Sequence, residues 1–282
     1  MKRTLAGAVI LLFSLISVPV FAIETLSLYD NFSSSAINFT KWTGSTYDAL
    51  DLYNSVVIYA AGDGKLRMQA RGYGFRTSSG VKDGRSTNNS LRFRRSDPNL
   101  IRAIKATAKV NSAVASGCPT AGSEVTQSRF QLGGYFFNAG GGEPGRATND
   151  VLARIEVRRL SNSTVANQLD VRGAVWRCLD TECAITQALF DQQIGTILVG
   201  QPVNLLLQWD PPTNRFLFQV DANPIMSYTY TFADAVPPQN FFDKKTIGID
   251  HYVANCVATQ TQAFMSVDVD DVFVNTQAAT IP

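Results

Sequence analysis

Apolar residues recur at every second position through most of this chain, and that period restricts it to β-structure. Val203, Leu205, Leu207 and Trp209 alternate with Asn204 and Gln208, the cluster Asp210-Pro211-Pro212-Thr213-Asn214 interrupts, and Phe216, Phe218 and Val220 alternate with Arg215, Gln219 and Asp221. Successive side chains of a strand point to opposite faces, so this is a hairpin with one buried face. Further strands are expected near 64–71, 101–111, 127–137, 151–159, 168–177, 245–253 and 264–275. No later segment holds a helical period for about 12 residues. Short helices are expected only as loop caps, near Ala36–Lys41 and Ala184–Gln192. Many strands joined by Gly, Pro and Asn loops, without a repeat or a linker, predict one all-β domain of sandwich, jelly-roll or barrel type.

The N-terminus does not share this pattern. Met-Lys-Arg leads into an apolar run from Leu5 to Val20, followed by Val20-Phe21-Ala22. Two cations, a short apolar stretch and small residues before a cut predict a secretory signal peptide over residues 1–22. The run is shorter than the roughly 20 residues that span a bilayer, so no membrane span is expected there or elsewhere. The mature domain would cover residues 23–282 and be exported, to an extracellular or periplasmic space.

Charge excludes one class of partner. Without Lys2 and Arg3 the chain carries 23 cations against 23 anions, whereas a general nucleic-acid binder needs a large basic excess. The balance is uneven, with 12 Lys/Arg between Lys65 and Lys109 against only Asp83 and Asp97. Solvated strand faces and loop tips account for such a stretch as well as a basic surface does.

Four cysteines in an exported chain are expected to pair. Cys178 and Cys183, in Trp-Arg-Cys-Leu-Asp-Thr-Glu-Cys, are close enough to staple a hairpin tip, which leaves Cys118 with Cys256. Closure of so long a loop contributes about 4–5 kcal/mol in the chain-entropy model. A zinc site is disfavoured by the spacing and by a single histidine, His251. In the last strand Met265, Val267, Val269, Asp271 and Phe273 would share a face, with Ser266, Asp268 and Asp270 opposite. A lone carboxylate in an apolar row requires either a bulge at Asp270–Asp271 or donors or a cation at Asp271.

Several segments resemble the concanavalin A-like lectin/glucanase superfamily. They are Tyr29-Asp30-Asn31-Phe32 with Lys41-Trp42, the hairpin around Leu207-Gln208-Trp209-Asp210-Pro211, and the ending Val267-Asp268-Val269-Asp270-Asp271-Val272-Phe273-Val274. The resemblance implies a two-sheet antiparallel β-sandwich, a jelly roll whose concave face holds sugar. It also implies a structural calcium ion near the termini, for which Asp30, Asp270 and Asp271 are the candidate side chains and the turn Gly62-Asp63-Gly64 a source of carbonyls. No other cofactor is implied.

Glucanases of that superfamily carry two glutamates flanking an aspartate at alternate positions of one strand, so that one carboxylate attacks and another protonates. The strand that resembles it here reads Arg154-Ile155-Glu156-Val157-Arg158. Only the central carboxylate remains, and an arginine can act neither as proton donor nor as nucleophile. The same stretch resembles the Arg-x-Glu-Leu-Arg strand of alginate lyases, but their Gln-Ile/Val-His and late tyrosine motifs are missing. His251 and Tyr252 are adjacent on a strand and point to opposite faces. No Ser–His–Asp set or phosphate loop is legible.

Alternation places Arg129, Gln131 and Tyr135 on one side of their strand, and Asp170, Arg172 and Trp176 on one side of theirs. If these strands flank the one carrying Arg154, Glu156 and Arg158, one face gathers arginines, carboxylates and two aromatic rings. An ordinary solvated face with cross-strand ion pairs would look the same in sequence. The reading is therefore a glycan-binding, lectin-like module without catalysis, its glycan including anionic ones. The alternatives are a polysaccharide lyase or hydrolase of the same fold, or a structural surface protein with no ligand in the cleft.

Overall fold

The computed structural model describes residues 23–44, 47–51, 54–77, 84–94, 101–118, 124–142, 145–238, 245–257 and 259–276. The expected signal peptide, residues 1–22, lies outside them. Two sheets contain nearly all of the regular structure. The nine-stranded sheet runs β15 (Met226–Thr229), β14 (Arg215–Val220), β13 (Pro202–Asp210), β8 (Ala103–Ser116), β19 (Gln262–Asn275), β5 (Leu66–Tyr73), β4 (Asn54–Ala60) and β3 (Tyr47–Asp51), with β1 (Leu26–Asp30) also on β19. The eight-stranded sheet runs β12 (Thr186–Leu198), β11 (Gln168–Cys178), β10 (Asp150–Leu160), β9 (Gln127–Ala139), β17 (Lys245–Val253), β7 (Arg85–Phe93) and β2 (Trp42–Thr43), with β16 (Asp234–Val236) on β9. Pairing within both sheets is antiparallel. The short strands β6 (Arg76–Thr77) and β18 (Cys256–Val257) form a separate parallel pair.

The inward residues of the two sheets pack into one apolar cluster that includes Ile58, Met68, Val110, Leu205 and Phe218 from the first sheet and Phe130, Ile155, Val171 and Ile249 from the second. Alternation in sequence becomes alternation of burial, as in β5, where every other residue from Leu66 to Gly72 is inside. The expected hairpin is β13–β14, with Leu207 opposite Phe218 and Asp210 opposite Arg215. Its turn is a single 3-10 turn over Pro211–Thr213, closed by Asn214 in the left-handed region.

The expected loop-capping helices do not form. Residues 36–41 make bends and turns, and 184–192 runs into strand β12, paired along its length with β11. A free edge on β11 offers unpaired backbone groups, and pairing with it outweighs the weak helical preference of Ala184–Gln192.

The bulge reading of the last strand holds. Register shifts between Asp270 and Phe273, and Asp271 takes φ 43°. Past the bulge Val272 and Val274 face the core, so Asp271 is exposed and Phe273 points outward, with Lys105 Nζ 5.8 Å from its ring centroid. The bulge therefore corrects the expected placement of Asp271 and Phe273 on the core face.

The acidic side chains expected to ligate calcium are not gathered. Asp30 is buried, and its carboxylate accepts hydrogen bonds from Trp42 Nε1 (2.6 Å) and Phe32 N (3.1 Å). Among the described residues no group of three or more His, Cys, Asp or Glu side chains is placed to hold a metal.

Both expected disulfides form, Cys118–Cys256 and Cys178–Cys183. The described cations of the basic stretch are divided between the two sheets. Arg67 and Lys109 flank Asp268 on the first sheet, Arg71 stacks on Phe264, and Arg102 pairs with Glu24 at 3.1 Å. Arg92 lies on the other sheet. Among the described residues no helix is long and apolar enough to cross a membrane.

Candidate functional site

The outward face of the eight-stranded sheet brings the sequence-predicted residues together. β9, β10 and β11 are adjacent, with Arg129 opposite Arg158 and Gln131 opposite Glu156 across one ladder. Across the next, Glu156 lies opposite Arg172, Arg158 opposite Asp170 and Leu152 opposite Trp176. A bulge between Val151 and Leu152 sets Tyr135 beside Leu152. Gly133 sits in this face at φ 147°, where a Cβ would lie 2.1 Å from the Ala153 carbonyl oxygen. Only glycine fits there.

The residues fall into two levels. Gln131 and Glu156 are each only 2% exposed and lie at the floor. Arg129, Arg154, Tyr135, Arg158, Asp170, Arg172 and Trp176 are partly exposed above it. Arg129 donates from Nε to Asp250 Oδ2 (3.0 Å), contacts the same oxygen through its terminal nitrogen, and lies 3.6 Å from Glu156 Oε1. Burial works against its charge, but Glu156 and Asp250 outweigh that and raise its pKa. Arg154 donates to Gln131 Oε1 (3.0 Å), lies 4.0 Å from Glu156 Oε1, and sits 5.5 Å from the Trp176 ring centroid. Arg172 donates to Asp191 Oδ1 (2.7 Å) and to the Asp191 carbonyl (2.8 Å). Arg158 has its pKa lowered by burial and then by Arg172, and its buried Nε has no hydrogen-bond partner.

Asp250 and Asp191 were missed in the sequence. Asp250 is 5% exposed and stands opposite Arg129 because β17 pairs with β9, more than a hundred residues away along the chain. Its only local signal is a carboxylate amid Ile247, Ile249 and His251. Asp170 is placed with the group by register, but it also borders a separate hollow with Leu160, Asn162 and Gln168.

His251 cannot serve this face. It is fully buried on the core side of β17, opposite Ser128, and neither ring nitrogen makes a hydrogen bond. Burial lowers its pKa, and nearby backbone at Ala70 and the Asp250 charge do not overcome that. The folded chain thus resists a proton that the unfolded chain accepts. Stability from this residue is fully present above the ordinary pKa of 6.5 and is lost as pH falls below it. Wild type is expected to lose more of its melting temperature than His251→Gln between roughly pH 7.5 and pH 5. Equal slopes would remove His251 as a source of acid sensitivity.

No family model matches this chain, and no curated protein does. Among solved structures it is similar to a β-glucanase of Bacillus licheniformis (12% identity, 88% of this chain and 98% of that one, TM-score 0.35). It is similar as well to a mixed-linkage glucan GH16 protein of Bacteroides ovatus (13%, 87% and 99%, 0.36) and to an alginate lyase of Klebsiella pneumoniae (10%, 86% and 97%, 0.40). The fold rests on the chain's own architecture of two antiparallel sheets sharing one core. By that architecture the chain is a two-sheet antiparallel β-sandwich of the jelly-roll type.

Proposed function

We propose that the chain is an exported, lectin-like protein that binds a glycan, anionic ones included, on the outward face of its eight-stranded sheet and does not cleave it. One observation carries the reading. The two carboxylates nearest the centre of that face, Glu156 and Asp250, are almost wholly buried and both engage Arg129. A glycosidase needs two carboxyl groups in contact with the sugar, one as acid and one as base or nucleophile. The groups open to a ligand around Glu156 and Asp250 are arginines and aromatic rings, which hold a sugar and do not cleave it. The more exposed carboxylates lie to the side, Asp191 bound to Arg172 and Asp170 opposite Arg158. Gln131 and Glu156 act from beneath by positioning the arginines. Export is supported by the leader-like N-terminus and by four cysteines that all pair.

The rival reading, a polysaccharide-cleaving enzyme, has one observation in its favour. Tyr252 is two residues along β17 from Asp250, and its hydroxyl donates to Glu124 Oε2 and accepts from Gly84 N (2.9 Å). A phenol paired with a carboxylate is a candidate proton carrier. One experiment separates the readings. The mature protein is incubated with polyuronates and β-glucans while binding, new reducing ends and unsaturated ends are measured. Binding without new ends is expected. Turnover abolished by Glu156→Gln or Tyr252→Phe would overturn the proposal.

A further inference from the structure

At the end of this face where β9, β10 and β11 meet the Cys178–Cys183 loop lies an open pocket of about 240 Å³, bordered by Arg129, Tyr135, Leu152, Arg154, Trp176 and Cys183. Its volume is below the roughly 300–1,000 Å³ of drug-sized sites, which suits one sugar ring and not an oligomer. Three features give it a chemistry.

The first is charge. Arg129 is compensated by Asp250 and Glu156, and Arg172 by Asp191. Arg154 differs, because among the described residues its short polar contact is the neutral Gln131, and Glu156 stands at 4.0 Å while shared with Arg129. It therefore presents to the pocket a guanidinium whose one carboxylate partner is more distant and shared. A planar fork of N–H donors matches a carboxylate bidentately, which a lysine does not.

The second is the apolar lining. Trp176 and Tyr135 pack against a small cluster of Ala147, Leu152 and Cys178, separate from the main core. Both border the pocket, and the Trp176 ring centroid lies 5.5 Å from the Arg154 guanidinium. The third is the wall. Cys183, in the left-handed region at φ 54°, is tied back to the fully buried Cys178. Asp180 closes the loop by accepting from Ala184 N (2.8 Å) and Ile185 N (3.1 Å). The short staple thus fixes a side of the pocket that an untethered loop would not hold in place.

We infer that Arg154, Trp176 and Tyr135 form a subsite for one sugar ring bearing a carboxylate, with the Cys178–Cys183 loop as its wall. The inference rests on the glycan-binding reading and names the chemical group that reading leaves open. Sulfated sugars present a related anion, and the test separates the two.

Calorimetric titration of the mature protein would use uronate trisaccharides from polymannuronate, polyguluronate and polygalacturonate, their carboxyl-reduced counterparts, and sulfated neutral trisaccharides. At least one uronate is expected to bind at least tenfold tighter than its carboxyl-reduced form and than the sulfated sugar. Arg154→Gln and Trp176→Ala are each expected to weaken it about tenfold or more, with Arg154→Lys in between. A Cys178→Ser/Cys183→Ser variant is expected to weaken binding while keeping its far-ultraviolet spectrum. Uronate binding that Arg154→Gln and Trp176→Ala leave unchanged would overturn the subsite and leave the glycan-binding reading standing. Preference for the sulfated sugar would overturn the carboxylate assignment. Failure to bind any glycan, on a wider array as well, would overturn the reading itself.

Discussion

Replacing Trp42 by alanine is expected to destabilise the protein by about 3–5 kcal/mol, among the largest single-residue effects expected in this fold. Trp42 is fully buried on the two-residue strand β2, and three aromatic rings surround it. Its ring centroid lies 5.2 Å from Tyr29 edge-on, 5.7 Å from Phe32 and 4.6 Å from Phe93. Tyr29 also donates its hydroxyl to the Lys41 carbonyl. The cluster ties β1, β2 and β7 together, and β1 and β7 belong to different sheets. Truncation removes both the buried area and the contacts that the cavity wall cannot regain. It also strands Asp30, whose Oδ2 accepts from Trp42 Nε1 at 2.6 Å. For a chain of this size the loss corresponds to a fall in melting temperature of about 6–20 °C. Trp42→Phe separates the two contributions. It retains most of the packing and deletes the donor, so it is expected to lose about 1–3 kcal/mol. Thermal or urea unfolding of the two variants checks this, and near-equal losses would assign the effect to the Asp30 hydrogen bond and not to packing.

Arg129→Leu is expected to destabilise by about 3–5 kcal/mol near neutral pH. Arg129 is the shared partner of Glu156 and Asp250, which are 2% and 5% exposed. Deleting the cation leaves the buried Asp250 without its ion-pair partner and Glu156 with only Arg154 at 4.0 Å, a far larger penalty than loss of a surface pair. The triple variant Arg129→Leu, Glu156→Gln, Asp250→Asn removes all three charges and is expected to recover much of the loss. Urea titrations of the single and triple variants beside wild type read both effects. A triple variant no more stable than Arg129→Leu would show that Arg129 acts through its packing alone.

Much of the architecture was written in local pattern. Strand identity, the β13–β14 hairpin, the Cys178–Cys183 staple and the bulge demanded by Asp271 all follow from residues close to one another in the chain. Alternation also assigned Arg129, Gln131, Tyr135, Arg154, Glu156, Arg158, Asp170, Arg172 and Trp176 to the outward sides of their strands. Pairing of Cys118 with Cys256 came from elimination and not from proximity.

Local pattern misled where a segment's state depended on a distant neighbour. Ala184–Gln192 became strand because β11 offers an unpaired edge. Which residues share a face was decided by strand order, and strand order is a matter of non-local pairing. Asp250 meets Arg129 only because β17 inserts beside β9, and that contact decides that Glu156 and Asp250 are buried ion-pair partners and that Arg154 is left facing the pocket. Period two is a property of each strand's own backbone and survives translation into structure unaided, so the sequence by itself determined the β fold and the side of each residue. Burial and charge compensation are sums over neighbours that only the closed sandwich brings together, so the tertiary structure alone decided which of these residues a ligand can reach.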